Sequence, residues 1–437
     1  MRAFGIDVGT TKICVAVIDT ATGTTVCVKS ENNAFLPGKL PFEKIQSPKR
    51  ILNCVQKLLK EAIAEAGKPD VIGVAGQMHG ILYLDANGIP LSPLYTWQDT
   101  RGDEPYRNEK TYVQTLAECG CGNIAAGYGC ATHFYNAVNH IVPAGSAKIC
   151  TIHDYVAMTL CEKREPLMHS SDAASLGLFD LGTFSYARDL PFDRNILDPV
   201  TNEAEILGRT PDGVPVAVAI GDNQASFLGS VEKAEGSVLL NIGTGSQISA
   251  CCRYGGTAPH GIEQRPLNGD LCLWVGASLC GGRAFALLEN FFRQVLRMCG
   301  NEPEGNLYDA MQKVAEGVPE SSLHVSTLFA GTREDPALRG SITGIDTANF
   351  TPENLINGFL DGMVSELSEL YQKMLSGGLP AGGALFGAGN GIRKNPLMRD
   401  FIAKRFGMKP ILSAYLEEGA SGAAKFACHC IASKLCP

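Results

Sequence analysis

The sequence predicts an α/β protein of two related domains, each a mixed sheet flanked by helices. Three observations predict it. The chain has 437 residues, enough for two to three domains at about 150 residues each. β-hairpin patterns alternate with long amphipathic helical patterns along it. A strand–turn–strand pattern rich in glycine and threonine occurs twice, after Ile6-Asp7 and after Asn241-Ile242.

Residues 3–7 and 12–18 read as strands around the tight turn Val8-Gly9-Thr10-Thr11, and 24–29 as a third strand after the turn at 20–23. The stretch 48–66 reads as a helix. Ile51, Leu52, Val55, Leu58, Leu59, Ala62 and Ile63 form its apolar stripe and Gly67 ends it. Residues 71–75 are a buried strand, and 81–85 with 94–97 read as a strand pair around Asn87-Gly88. The second half opens in the same way. A strand at 214–220 leads into the elbow Gly221-Asp222-Asn223-Gln224, and strands at 237–242 and 246–252 flank the turn Gly243-Thr244-Gly245. Helices are predicted over 282–298, 352–375, 396–406 and 420–435. In the second of these Leu355, Phe359, Met363, Leu367, Leu370 and Met374 form a core stripe.

Hydrophobic residues make up 45% and charged residues 19% of the chain, too apolar for a disordered protein. The net charge of −8 argues against general binding to nucleic acid or anionic membranes. The 49 glycines follow no period and cluster in short turns beside apolar runs, where backbone touches a ligand or turns sharply. Asp7 interrupts any apolar signal core, and no apolar run reaches the roughly 20 residues that span a bilayer, so the expected location is cytoplasmic. The 16 cysteines are scattered. The close pairs Cys119/Cys121, Cys251/Cys252 and Cys428/Cys430 lack the spacing of zinc or iron–sulfur sites. They read as reduced thiols serving as small core hydrophobes.

Several segments carry the residue types of a chemical site. In Asp7-Val8-Gly9-Thr10-Thr11-Lys12 glycine admits backbone N–H groups to phosphate oxygens, and threonine and lysine add donors and charge. An acid at the strand end suits Mg²⁺, which prefers oxygen ligands. The other reading is a plain hairpin turn. Gly387-Ala388-Gly389-Asn390-Gly391, leading into the helix at Pro396, offers bare backbone to a flat ligand or is only a glycine-rich turn. Asp222 ends a strand. It either caps the following helix or takes a proton from a substrate hydroxyl. Polar clusters follow the early strands: Gln77-Met78-His79-Gly80, Trp97-Gln98-Asp99-Thr100-Arg101 and Gly129-Cys130-Ala131-Thr132-His133. Trp97 beside an acid and an arginine is the make-up of a sugar site. The plainer readings are a core anchor for Trp97, a surface ion pair for Asp99 and Arg101, and a structural role for His79.

Together, Gly5-Ile6-Asp7-Val8-Gly9-Thr10-Thr11, Gly76-Gln77-Met78-His79-Gly80, Gly221-Asp222, Asn241-Ile242-Gly243-Thr244-Gly245 and Gly387-Ala388-Gly389-Asn390-Gly391 resemble the FGGY carbohydrate kinases, in family order and over nearly the whole chain. Within the family, Thr96-Trp97-Gln98-Asp99 with Arg101, Gly127-Tyr128-Gly129-Cys130-Ala131-Thr132 and Thr151-Ile152-His153-Asp154-Tyr155-Val156 look like the sedoheptulokinase subgroup. Asp222-Asn223-Gln224-Ala225-Ser226 is also similar to that subgroup, although Asn223 stands where its animal members are expected to carry an apolar residue.

The resemblance implies two actin-like (ribonuclease H-like) ATPase domains with mixed sheets and a cleft between them. Residues 1–228 would be the sugar-binding domain and 229–437 the nucleotide-binding domain. By motif position it implies Asp222 as catalytic base, and Met78, His79, Trp97, Asp99 and Asn223 near the sugar. Thr10, Thr11 and Lys12 would face the ATP phosphates from one side, Gly243 and Thr244 from the other. Gly387, Gly389 and Asn390 would frame adenosine, and Asp7 would serve Mg²⁺. The implied reaction is ATP-dependent phosphorylation of the terminal hydroxyl of a ketose, sedoheptulose giving sedoheptulose 7-phosphate. The alternative within the family is xylulose or another sugar or polyol. The alternative of another class is an ATP-driven activator or switch protein on the same fold with an iron–sulfur cluster. The implied partners are a small sugar and ATP, without nucleic acid or membrane, and a homodimer is an open assembly state.

Overall fold

The computed structural model describes residues 1–120, 122–316, 322–332, 335 and 337–433. Cys121 and the last two positions of the helix expected over 420–435 lie outside them. The chain divides into two compact units. Met1–Gly229, Pro266–Asp270 and Tyr415–Pro437 make the first, and Ser230–Arg265 and Leu271–Ala414 the second. The expected second domain, 229–437, thus gives up two segments to the first unit.

The first unit begins with the strands β1 (Arg2–Val8), β2 (Lys12–Asp19) and β3 (Thr24–Asn32), paired antiparallel in sequence order. Ala3–Ile6 and Ile13–Ile18 are buried at every position, as strands covered on both faces must be. Helix α1 (Pro48–Ala66) covers them. Ser47 caps it by accepting from the Arg50 amide, proline opens it, and Gly67 ends it at φ 83°. Ile51, Val55, Leu58, Leu59 and Ala62 are buried, while Ile63, expected in the same stripe, is exposed. Strand β4 (Val71–Gly76) runs parallel to β1 on its other side.

The expected strand pair over 81–85 and 94–97 is not a hairpin ladder. β5 (Leu82–Leu84) takes a later antiparallel partner, Lys148–Cys150, and β6 (Leu94–Tyr95) pairs with Ile45–Gln46. Ile81 and Tyr95 still exchange both backbone hydrogen bonds, and Leu84 bridges to Pro90 in the connection. Pro90 and Pro93 in the connection cannot donate to a ladder. Next come α2 (Gly129–Val138), β7 (Lys148–Cys150), α3 (Ile152–Leu160), α4 (Ser170–Leu176) and β8 (Ile206–Arg209). The strand expected over 214–220 breaks into β9 (Pro215–Ala217) and β10 (Ile220–Gly221). Both pair parallel with β4, and the Val218 amide between them donates instead to the Glu205 carbonyl. The main sheet runs β8-β9-β4-β1-β2-β3, with β10 also on β4. Helix α5 (Asp222–Ser230) follows β10 directly.

The C-terminal helix Glu418–Ser433 lies across β1 and β4 at backbone distance. A Cβ on Gly5 would sit 1.7 Å from the Ala420 carbonyl oxygen, and one on Gly73 1.9 Å from that of Ala423. A Cβ on Gly422 would sit 1.7 Å from the Ala225 carbonyl oxygen of α5. Small side chains fill much of the remaining space: Ala3, Ala75, Ala217, Ala225, Ala423, Ala424 and Ala427 belong with Val71 to one buried cluster.

The second unit holds β11 (Val238–Ile242), β12 (Ser246–Arg253), β13 (Leu271–Ser278), α6 (Gly281–Met298), α7 (Pro352–Ser376), β14 (Leu385–Ala388), α8 (Asn390–Arg393), α9 (Pro396–Phe406) and β15 (Ile411–Leu412). Its strands lie in the order β13-β12-β11-β14-β15. The first three are antiparallel neighbours and the last two join in parallel. The series β3-β2-β1-β4-β9 has the same order and directions, so the duplication of the strand–turn–strand pattern extends to five strands. The α7 stripe is core: Leu355, Phe359, Met363, Leu367 and Met374 are buried and Leu370 packs against them. Cys14, Cys27, Cys130, Cys150, Cys251, Cys252, Cys272, Cys280 and Cys430 are buried and unbridged. Among the described residues no helix is long and apolar enough to cross a membrane.

The backbone contact at Gly422 is testable. Gly422→Ala forces α5 and the C-terminal helix apart and is expected to cost about 1–3 kcal/mol, the range for overpacking. Calorimetry should show Tm lowered by about 3–10 °C. An unchanged Tm would count against this packing.

Candidate active site

Two carboxylates stand at the C-terminal end of the first sheet, one on each side of β4. In the parallel register Asp7 pairs with Ala75 and Gly221 with Gly76, and Asp222 follows Gly221 as the first residue of α5. Neighbouring strands are about 4.8 Å apart, so β1 and β10 put the two backbones about 10 Å apart across β4. Asp7 Oδ1 is buried without a hydrogen-bond partner. Burial first, and then the charges of Asp222 and Glu417, push its pKa up to about 7, against the opposing pull of Lys12. A Cβ on Gly419 would lie 2.5 Å from Asp7 Oδ2, so glycine there keeps the carboxylate uncovered. A desolvated carboxylate beside further acids is a donor set suited to a hard divalent cation.

The turn after β1 is held by amides. Gln46 donates to the Thr10 carbonyl at 2.7 Å, Gln77 donates to Gln46 at 2.8 Å, and Asn33 donates to the Gly9 carbonyl at 3.0 Å. The Thr10 hydroxyl donates to Gln77 Oε1 and accepts from Trp97 Nε1 at 2.9 Å. Thr11 and Lys12 are exposed. Lys12 Nζ is paired with Glu417 at 2.6 Å.

Of the residues assigned to the sugar, Met78 is buried against Gly221, where a Cβ would meet its Sδ at 2.8 Å. His79 has φ 73°, a conformation rare for residues with a side chain. It is fixed there by Ser175, whose hydroxyl accepts from the His79 amide at 3.1 Å and whose carbonyl lies 2.7 Å from Nδ1. The imidazole stacks on Tyr128, ring centroids 4.2 Å apart. Trp97 is 46% exposed, so it is no core anchor and leaves ring surface open to a ligand. Asn223 keeps a buried Oδ1 without a hydrogen-bond partner. Asp99 is different. Its oxygens take Arg101 Nε at 2.7 Å and Nη2 at 3.0 Å, and the Lys44 amide at 3.2 Å. This is a buried ion pair, where a surface pair was the plainer expectation. The guanidinium also donates to Asn136 at 2.6 Å and lies over the Tyr95 ring at 4.2 Å. Asp99 therefore shapes the loop that carries Trp97.

In the second unit β11 and β14 are parallel, with Asn241 opposite Ala388. Their C-terminal ends bring Gly243 and Thr244 near Gly389 and Asn390, while Gly387 lies inside β14 opposite Leu240, buried against Ile392 and Pro410. A Cβ on Gly389, at φ 82°, would sit 2.5 Å from the Ile242 carbonyl oxygen. The start of α6 locks the turn, as the Gly282 and Arg283 amides donate to the Gly243 and Thr244 carbonyls at 2.8 and 3.0 Å. Gly243, Thr244 and Asn390 are exposed. Ligands of open α/β sheets bind outside the carboxyl ends of such strands.

The model of the FGGY family of carbohydrate kinases, N-terminal domain, matches residues 3–229. The chain belongs to the FGGY family of carbohydrate kinases. It is an ATP-dependent sugar kinase. A sedoheptulokinase of Homo sapiens is 27% identical to it over 92% of each chain, and one of Mus musculus 27% identical over 96% of each. Among solved structures, a xylulose kinase from Rhodospirillum rubrum matches with a TM-score of 0.85 at 21% identity, covering 98% of this chain and 89% of that one. The fold is the two-domain actin-like ATPase fold. Family membership leaves the iron–sulfur activator reading without a supporting observation.

Sequence reasoning about this kinase missed the residues that hold the site in place. Gln46 and Asn33 fix the Thr10 turn, Ser175 and Tyr128 fix His79, and Glu417 and Gly419 approach Lys12 and Asp7 from the other end of the chain. The run of small residues 419–424 was the one available signal, since small residues on a helix permit close approach.

Asp7 yields a pH prediction. Its folded pKa of about 7 stands above the unfolded value of 3.8. The folded state therefore holds a proton that the unfolded chain has released, and stability falls as pH rises through that window. In EDTA, Asp7→Asn should raise Tm at pH 8, with the gain shrinking to nothing near pH 4. A constant difference at all pH values would refute the burial argument. Arg101→Met leaves Asp99 buried and uncompensated, and urea titration should show a loss of about 3–5 kcal/mol. Asp99→Asn/Arg101→Met should recover part of it.

Proposed function

We propose that this kinase transfers the γ-phosphoryl group of ATP to the terminal primary hydroxyl of an open-chain ketose, sedoheptulose, giving sedoheptulose 7-phosphate. The observation that carries the reaction is the pair Asp7 and Asp222, held in register on either side of β4. The similarity to mammalian sedoheptulokinases over nearly full length supports the choice of sugar. Xylulose is the alternative acceptor. We assign the enzyme to the cytoplasm, where its many thiols stay reduced.

Phosphoryl transfer asks for positioning, neutralised phosphate charge and a group for the hydroxyl proton. Asp222 orients the acceptor hydroxyl and takes its proton as the oxygen–phosphorus bond forms. Asp7, with an unpartnered Oδ1, fits a Mg²⁺ ion, which when bound supplies positive charge to the ATP phosphates. The Thr11 hydroxyl and the Thr10 and Thr11 amides donate to those phosphates, while the Thr10 hydroxyl stays given to Gln77. In the second unit the Thr244 hydroxyl is the phosphate donor, since the Gly243 amide is given to the Gly245 carbonyl. Lys12 joins them by exchanging Glu417 for phosphate. The ion pair is half-exposed, so breaking it costs about 1 kcal/mol or less. Gly389 offers bare backbone to the adenosine, with Asn390 as its polar neighbour, and Gly387 acts from within β14 by letting Ile392 pack close beneath the site.

On the sugar side, Trp97 supplies an apolar face to the carbon chain. Asn223 Oδ1 accepts from a sugar hydroxyl, which removes its buried and unsatisfied state. His79 and Met78 close the floor beside Gly221. Asp99 acts through the Trp97 loop rather than by contact.

Purified protein with Mg-ATP should release ADP fastest with sedoheptulose in a panel that includes xylulose, ribulose, fructose, glycerol and no sugar. A faster rate with another member moves the specificity alone, and silence across the panel ends the kinase reading at these sugars. Asp222→Asn should lower kcat by about 10²–10⁴-fold with ATP affinity retained; normal turnover would remove Asp222 from the mechanism. Thr244→Val should raise KM for ATP more than KM for sugar, and equal effects would remove its phosphate role.

A further inference from the structure

The first unit buries a second polar cluster, near enough to Asp222 for its charge to act on His153 and Asp172. His153 and Asp154 lie in the first turn of α3 and Asp172 in the first turn of α4. All three are at most 1% exposed. One ligand atom from each lies within 4.8 Å of the others. His153 Nε2 is 2.9 Å from Asp172 Oδ1, but out of line for a hydrogen bond. Both ring nitrogens, both oxygens of Asp172 and Asp154 Oδ1 have no hydrogen-bond partner. The other oxygen of Asp154 accepts from the Thr151 hydroxyl at 2.6 Å, which leaves Oδ1 as its ligand atom. Buried polar atoms are nearly always satisfied. Here His153 Nδ1, Asp154 Oδ1 and Asp172 Oδ2 have no partner at all, and His153 Nε2 and Asp172 Oδ1 have only their contact with each other.

We propose that His153, Asp154 and Asp172 bind one divalent transition-metal ion, Zn²⁺ foremost, at a structural site separate from the Mg²⁺ of Mg-ATP. An imidazole nitrogen with two carboxylates suits Zn²⁺, Fe²⁺ or Mn²⁺, whereas Mg²⁺ selects oxygen donors and keeps its waters. Two ligands at about 2.1 Å from a tetrahedral ion stand about 3.4 Å apart, so binding opens the 2.9 Å between His153 Nε2 and Asp172 Oδ1 by about half an ångström. Asp154 closes on the ion by rotating its carboxylate. The hydroxyl of Thr151 orients that carboxylate, as outer partners of metal ligands do.

The ion would satisfy the orphaned atoms and permit both acids to stay charged. Without it, burial and then the charge of Asp172 push the Asp154 carboxyl up to about 8, and burial and then the charge of Asp222 hold the Asp172 carboxyl well above its usual range. It would also tie the start of α3 to the start of α4 next to β4, where a Cβ on Gly76 would lie 3.0 Å from His153 Nδ1. A site this deep takes up its metal as the chain folds.

The test is elemental analysis of the full chain, purified without metal-affinity resin and dialysed into metal-free buffer containing excess Mg²⁺. Close to one equivalent of Zn²⁺, Fe²⁺ or Mn²⁺ per chain is expected, kept in Asp7→Asn and lost in His153→Ala and Asp172→Asn. Metal kept in both of the latter variants overturns the assignment. If the wild type carries none, it is unfolded, refolded with Co²⁺ in excess Mg²⁺ and desalted. One bound Co²⁺ with a visible absorption band and a raised Tm upholds the site, and no band with no change in Tm overturns it. This arm uses the wild type, so the proposal stays falsifiable even where the variants do not fold.

Discussion

The first unit depends on one constraint: the C-terminal helix touches the sheet backbone to backbone. Only glycine at Gly5, Gly73 and Gly422 lets the helix axis come so near β1, β4 and α5. The contact fixes the level of those three elements against one another. Asp7 is the last residue but one of β1 and Asp222 the first of α5, so the spacing of the two carboxylates follows from a seam of missing side chains. The same helix carries Gly419 against Asp7 and, just before it, Glu417 against Lys12. Packing and chemistry are set by one element.

The site itself is organised by partial satisfaction of polar groups. Where a side chain has a structural task, its hydrogen bonds are complete. Asp99 is filled by Arg101 and the Lys44 amide, and the Thr10 turn is filled by Gln46, Gln77 and Asn33. Where a side chain is assigned to a ligand, an atom is left over, as at Asp7 Oδ1 and Asn223 Oδ1. Leaving such an atom buried costs about 1–3 kcal/mol, and a bound group that fills it recovers that energy. Folding and ligand affinity are therefore set by the same few atoms.

Local signals made part of this legible in the sequence. α1 starts at Pro48 after Ser47 and stops at Gly67, and α9 starts at Pro396 after Asn395 and stops at Gly407, because caps act within a few residues. The hairpins β1–β2 and β11–β12 and the glycine turns were readable for the same reason. What escaped were pairings set from far away. β5 takes its partner from residues 148–150, β10 parts from β9 because the Val218 amide turns to Glu205, and Ile63 stays exposed although it falls in the apolar stripe of α1. The site motifs were legible as residue types, but the burial of Asp99 with Arg101 and the pairing of Lys12 with Glu417 span packing that no local window contains. The C-terminal helix was visible as a helix, while its home in the first unit was not.

That home has a consequence for biosynthesis. The strands of the first sheet leave the ribosome early, but the helix that covers β1 and β4 is made after the whole second unit. Until then Ala3, Val71, Ala75 and Ala217 lack the cover they have in the finished molecule. The second unit has its own core cluster and can consolidate first, although it is encoded later. Through most of translation the first sheet therefore keeps this apolar face open, and a chain that stops between the end of its strands and residue 418 cannot close it.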